Sequence, residues 1–305
     1  MAELLRWTQR AIDLADGDVT KGGFVLGSPL SLSILFRGLA RFWLGIPGWR
    51  TDFDDALAMA RNADAHTFAS AVVYKYGSAI VNRVLLPDAT AVRDLEEALV
   101  IAVNTGDHTT LALTRYITAG ALIESGTDQD RGLRYLAETR DLCLSGQFFA
   151  TELPIVEIYL ARERVRQGDA DDAIPIMRAS VDTIFANGQF GFSVMCTSIL
   201  VETLLDRAAD GDVAEAEEAT ARLANATIQD LAVCDVTLLR LRALLARARG
   251  DDTSYRQFSD RYQERVTNLG FEGHMALAES MAAGHPSNTA IAALWPPIPD
   301  TAPPL

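Results

Sequence analysis

Breaks in the helical pattern recur at a nearly constant distance along this 305-residue chain, and that spacing restricts its fold more than any other feature. Turn signals centred on Gly48, Pro87, Gly126, Gly168, Gly211 and Gly250 stand 39, 39, 42, 43 and 39 residues apart. A second series, Gly106, Gly146, Gly188 and Gly270, falls between them at separations of 40, 42 and 82, the last being two periods with a weaker turn near Asn225. Two interleaved series of breaks with one period are what a repeat of two helices produces. Each unit buries its apolar face only by stacking on the next.

The segments between breaks carry helical periodicity. Val92, Leu95, Leu99, Ala102 and Val103 follow three-and-four spacing, as do Ile174, Met177, Val181, Ile184 and Phe185, and then Leu238, Leu241, Leu245 and Ala248. Ser28 before Pro29 predicts an N-cap followed by the one residue whose missing N–H costs nothing at the first helical position. Thr151 predicts another start, with Pro154 inside the first turn. Arg162, Arg164 and Arg166 ahead of Asp169, Asp171 and Asp172 place cations at one helix end and carboxylates at the next start, as do Arg247 and Arg249 ahead of Asp251 and Asp252. The expected fold is all-α: a right-handed superhelix of antiparallel helix pairs, tetratricopeptide-like, with a period of about 40 residues.

The ends of the array read differently. A first helix near Glu3 to Asp16 resembles the second half of a pair, so residues 1–17 are expected to form a half-repeat, 18–28 a loop, and 1–285 one helical-repeat domain. Five of the 11 prolines crowd into Pro296, Pro297, Pro299, Pro303 and Pro304, and residues 286–305 are expected to be a disordered tail.

Charge and motif content exclude several functions. A formal charge of −14 opposes the counterion release on which non-specific nucleic-acid affinity depends. No uninterrupted apolar stretch approaches the roughly 18–20 residues of a membrane span, and Glu3, Asp13 and Asp16 interrupt the N-terminus where a leader would be basic and then apolar. A cytoplasmic protein is expected, binding neither nucleic acid nor membrane. Cys143, Cys196 and Cys234 are odd in number and far apart, which predicts reduced core residues.

Catalytic signatures are missing as well. Lys21-Gly22-Gly23 has the wrong order for a phosphate loop, and no G-x-S-x-G elbow occurs. Asp52, Asp54 and Asp55 run straight into helical sequence without the glycine and glutamate of a calcium loop, so they read as helix-start carboxylates. His66, His108, His274 and His285 form no metal-binding pair. The expectation is a non-enzymatic chain with no catalytic, metal or cofactor-binding residues.

Candidate partner-binding residues follow from spacing. Arg240 with Arg247, and Arg242 with Arg249, repeat at seven residues, so each pair shares a helix face suited to an acidic partner or simply to solvent. Phe148, with Phe149 beside it, and Phe190 with Phe192 follow two inter-repeat turns and line a peptide groove or pack turn against turn. A protein or peptide is the expected partner, with a small-molecule effector as a second ligand class.

Two passages are more distinctive than the repeat: Leu35-Phe36-Arg37-Gly38-Leu39-Ala40-Arg41-Phe42-Trp43-Leu44-Gly45-Ile46-Pro47-Gly48-Trp49-Arg50 with its continuation to Arg61, and Asn268-Leu269-Gly270-Phe271-Glu272-Gly273-His274-Met275 with its continuation to Met281. Over most of the chain, from Glu3 to Ala283, they resemble the C-terminal helical-repeat region of large actinobacterial regulators that join a class III adenylate cyclase domain, a signal-transduction ATPase and a tetratricopeptide-like array. The resemblance implies a sensor or scaffold arm that receives a ligand or partner and restrains an attached catalytic domain. This chain has no cyclase metal-binding aspartate motif, phosphate loop or terminal helix-turn-helix, so the family's catalytic activity is not carried onto it. An enzyme with its site in the concave groove, and a remnant of a larger regulator, are the alternatives.

Overall fold

The computed structural model describes residues 1–23, 27–106, 108–226 and 231–284. Among them are fourteen α-helices: α1 (Ala2–Ala15), α2 (Pro29–Leu44), α3 (Trp49–Ala63), α4 (Ala65–Val81), α5 (Ala89–Thr105), α6 (His108–Ser125), α7 (Gln129–Leu144), α8 (Leu153–Arg166), α9 (Ala170–Ala186), α10 (Phe190–Arg207), α11 (Asp212–Ala224), α12 (Ala232–Ala248), α13 (Asp252–Leu269) and α14 (Glu272–Ala282). No strand occurs among the described residues, and a short 3₁₀ turn, Ala150–Glu152, precedes α8. The fold is the expected right-handed, tetratricopeptide-like superhelix of antiparallel helix pairs.

Local chemistry sets the boundaries. The Ser28 hydroxyl caps α2 by accepting from Ser31 N–H, with Pro29 at the first helical position. Asp64, Asp88, Asp128 and Asp251 cap α4, α5, α7 and α13 in the same way. Gly270 ends α13 at φ 66°, a left-handed turn that a side chain at Cβ would disfavour. The two series of breaks in the sequence fall at these ends.

The pairs divide into two rings. The even-numbered helices are inner and the odd-numbered outer: α10 and α12 bury most of their length, whereas α13 buries only Tyr262 and Val266. Inner helices pack on one another, α2 on α4, α4 on α6, α8 on α10 and α10 on α12, while α7 joins α6 to α8 and α12 returns to α2. The superhelix therefore closes on itself. One connected core runs through it from Ala15 to Met281, with a small satellite of Ala112, Cys143 and Phe148.

Helix α1 packs on α2, which packs in turn on α3 as later even-numbered helices pack on the odd-numbered helix that follows them. Helix α1 leaves Trp7 and Leu14 exposed. The proline-rich stretch 286–305 lies outside the described residues.

Candidate functional site

The inner helices bring charge to the superhelix axis. Glu202 on α10 is buried, and its Oε1 accepts from Arg240 of α12, from Arg83 at the end of α4 at 3.3 Å, and from Ser198 one turn earlier at 2.7 Å. Burial alone would raise this carboxyl, but the guanidinium groups of Arg240 and Arg83 outweigh it and hold it near 2. Next to this cluster, Arg162 of α8 reaches Glu124 of α6 at 2.7 Å. Burial opposes the charged form of Glu124 too, and Arg162 and Arg83 lower it nonetheless.

His274 on α14 completes the cluster. It is 2% exposed, its Nδ1 lies 2.8 Å from the Tyr262 hydroxyl, and burial together with Arg83 and Arg240 pushes it down to about 3. The ring is therefore neutral at His274 and ionic around Glu202. The spaces beside these groups are small. One of about 20 Å³ is lined by Asn82, Arg83, Ser198 and His274, and another of about 20 Å³ by Arg83, Leu86, Glu124 and Gly273. Each is about the size of one water.

The seam that closes the superhelix joins the two distinctive sequence passages. Phe42, Trp49, Phe53 and Phe271 form one aromatic cluster, with Phe42 at 6.1 Å from Phe53 and 6.4 Å from both Trp49 and Phe271. Trp49 Nε1 donates to the Leu269 carbonyl at 3.2 Å and Arg50 Nη2 to the Gly270 carbonyl at 3.2 Å. Glu272 N–H donates to Val84 O at 2.9 Å and His274 N–H to Arg83 O at 3.0 Å. The Glu272 carboxylate meets Arg50 Nη1 at 2.7 Å and accepts from Leu86 N–H at 3.4 Å. Arg83 holds φ 52°, a left-handed conformation costing about 1–2 kcal/mol for a residue with a Cβ. Its side chain and its carbonyl are both engaged here.

The residues selected from spacing are separated by the fold. Arg240 is 1% exposed and sits inside the ring, so it is not part of a surface for a partner. The physical reason is the face it occupies: Arg240 shares a buried face of α12 with Val236 and Leu244, whereas Arg242, Arg247 and Arg249 are exposed. Arg247 stacks on Tyr255, and Arg249 pairs with Glu217. Phe148 is buried in the satellite core, 5.1 Å from the exposed Phe149, while Phe190 and Phe192 are half-buried at the start of α10. Phe148 and Phe192 pack into core.

Other sequence readings meet the structure directly. Asp52, in the first turn of α3, is buried and takes Arg37 through both carboxylate oxygens, at 2.7 and 3.1 Å, with Arg41 at 2.8 Å. Cys143, Cys196 and Cys234 are buried free thiols, and burial raises Cys143 and Cys234 to about 11. Among the described residues no group of three His, Cys, Asp or Glu side chains is placed to hold a metal ion. No helix there is long and apolar enough to cross a membrane.

Outside the ring, a shallow groove of about 220 Å³ runs between α9 and α11. Val181, Leu200 and Ala219 line it, and two ion pairs, Arg178 with Glu215 and Arg222 with Asp182, link its walls. Spacing arguments missed Arg83, Glu124 and Glu202. The available signal was a single charge in an apolar run, as in Ile199-Leu200-Val201-Glu202-Thr203-Leu204-Leu205.

Comparison with known proteins adds a fold likeness. No family model matches the chain, and no curated protein does. Among solved structures, the chain is similar to a Rap protein crystallised in complex with competence and sporulation factor, at 14% identity and a TM-score of 0.57, over 95% of this chain and 86% of that one. At that identity, what the two chains share is the helical-repeat fold.

Proposed function

We propose that this chain is a non-catalytic interaction and sensor module of a signalling protein, which binds a protein or peptide partner and through it regulates or scaffolds a cyclase or ATPase. The observation that carries this reading is the state of the concave face. The ionisable groups that converge there, Arg83, Glu124, Arg162, Glu202 and Arg240, are engaged with one another in ion pairs, and the spaces beside them are about 20 Å³. Groups committed to one another in this way order the helices. The Rap protein that shares the fold was solved with a bound factor, which agrees with a binding role. The groove between α9 and α11 is the place for a small-molecule effector.

Co-expression of the full chain with a class III cyclase domain and with a signal-transduction ATPase domain, followed by size-exclusion chromatography and turnover assays, tests the reading. A stable complex that changes the partner's turnover is the expected result. Unchanged turnover at saturating chain, with no complex for either partner, overturns it.

A further inference from the structure

The seam between residues 269–274 and the first units of the array differs from the other helix contacts among the described residues in joining main chain to main chain. Elsewhere contacts between helices use a side chain on at least one partner, as Ser31 does on the Ala56 carbonyl. The Glu272-to-Val84 and His274-to-Arg83 bonds are, among the described residues, the only main-chain hydrogen bonds that join parts distant in sequence. With the bonds from Trp49 and Arg50, two carbonyls and two N–H groups within six consecutive residues are each met by a partner more than 180 residues away. Reading the backbone of a short segment, with side-chain pockets for a few anchors, is how peptide-binding surfaces work.

The anchors are equally specific. Phe271 is fully buried against Phe42 and Trp49. Glu272 meets a guanidinium and a main-chain N–H. Gly273 lies so close to Arg83 that a Cβ would come within 2.6 Å of its carbonyl oxygen, so only glycine fits that position without backbone movement. The two water-sized spaces flank Gly273 and His274, so the segment does not fill its seat completely.

We infer that the surface formed by Phe42, Trp49, Arg50, Arg83, Val84 and Leu86 is a peptide-acceptor site, held in this structure by the chain's own residues 270–274. The partner it fits is a peptide with the same helix start: an aromatic residue, then a carboxylate, then glycine. This deepens the proposed function and rests on its reading of the chain as a partner-binding module. The tethered segment sits at a high effective concentration, so a free peptide competes at a disadvantage until the segment's own anchor is weakened.

The test uses a fluorescent synthetic peptide of residues 266–284 and the full chain, read by anisotropy. Phe271→Ala in the full chain is expected to tighten peptide binding by about tenfold over the unmodified chain, because the acceptor becomes free for a larger fraction of the time. The same substitution in the peptide abolishes that gain. A Phe271→Ala chain that keeps its helical circular dichroism yet binds the peptide no better than the unmodified chain overturns the inference. Should that variant not fold, Glu272→Ala removes only the partly exposed carboxylate, and about a threefold gain is expected from the same shift in occupancy; no gain there overturns the inference as well. A variant that gains the peptide while cyclase and ATPase domains still fail to bind preserves the acceptor site and removes the proposed partners. Binding of those domains without any peptide gain does the reverse.

Discussion

The inner and outer rings of this superhelix use charge in opposite ways. In the outer ring, Arg61 of α3 meets Glu97 of α5, Arg131 of α7 meets Glu96 of α5, and Arg178 of α9 meets Glu215 of α11, all with substantial solvent exposure. Such pairs gain little, because water screens them and ordering two long side chains costs entropy. In the inner ring, Arg240 and Glu202 are 1% and 5% exposed and share the cluster with Arg83. Their attraction offsets a large desolvation penalty, so the complete cluster adds modest net stability. Removing one member is another matter. Exposed pairs of this kind are expected to tolerate change, whereas the buried cluster around Glu202 is expected to lock register.

The largest effect expected from this contrast is that of Glu202→Gln. It removes the carboxylate that Arg240 and Arg83 share, at a cost of about 3–5 kcal/mol. Chemical denaturation monitored by circular dichroism measures it. Arg240→Met in the same background should recover part of the loss, since it removes a buried cation. A Glu202→Gln midpoint close to that of the unmodified chain would mean that the ring is wetter than its packing shows.

Acid should separate the rings next. His274 is neutral in the folded chain and held near 3, whereas an unfolded histidine takes up its proton near 6.5. Its contribution is present above 6.5 and declines as pH falls from there toward 3, because only the unfolded state binds the proton. Glu202, held near 2, loses its contribution only as pH falls below the ordinary carboxylate range. The expected outcome is that His274→Gln loses its disadvantage relative to the unmodified chain by up to about 1.4 kcal/mol per pH unit below 6.5, the slope for one proton. Parallel stability curves for the two proteins from pH 7 to 5 would count against a neutral, buried His274.

How far the sequence reveals this contrast depends on distance. Helix boundaries and the period of about 40 were legible because caps, glycine turns and three-and-four spacing are local. Arg240 was misplaced because spacing gives the face of a helix and not the depth at which that face lies. Arg247, seven residues on, reaches solvent only because α12 is ending. The closing seam joins residues about 220 apart, beyond any periodicity argument. Its one trace was that Leu35–Arg61 and Asn268–Met281 carried more aromatic and glycine detail than a stacking repeat requires.

The smallest predicted effect tests the outer half of the contrast. Arg178 holds both Glu215 carboxylate oxygens at 2.6 Å, the geometry in which a surface pair has its best chance of contributing. The side chains are 43% and 31% exposed and line the shallow groove between α9 and α11. Arg178→Ala, Glu215→Ala and the double variant form a cycle whose coupling energy is expected below about 1 kcal/mol and to shrink in 1 M salt. A coupling of several kcal/mol that survives salt would place this outer pair with the inner ring. The division between a tolerant shell and a locked axis would then fail at the α9–α11 wall, where an effector would bind.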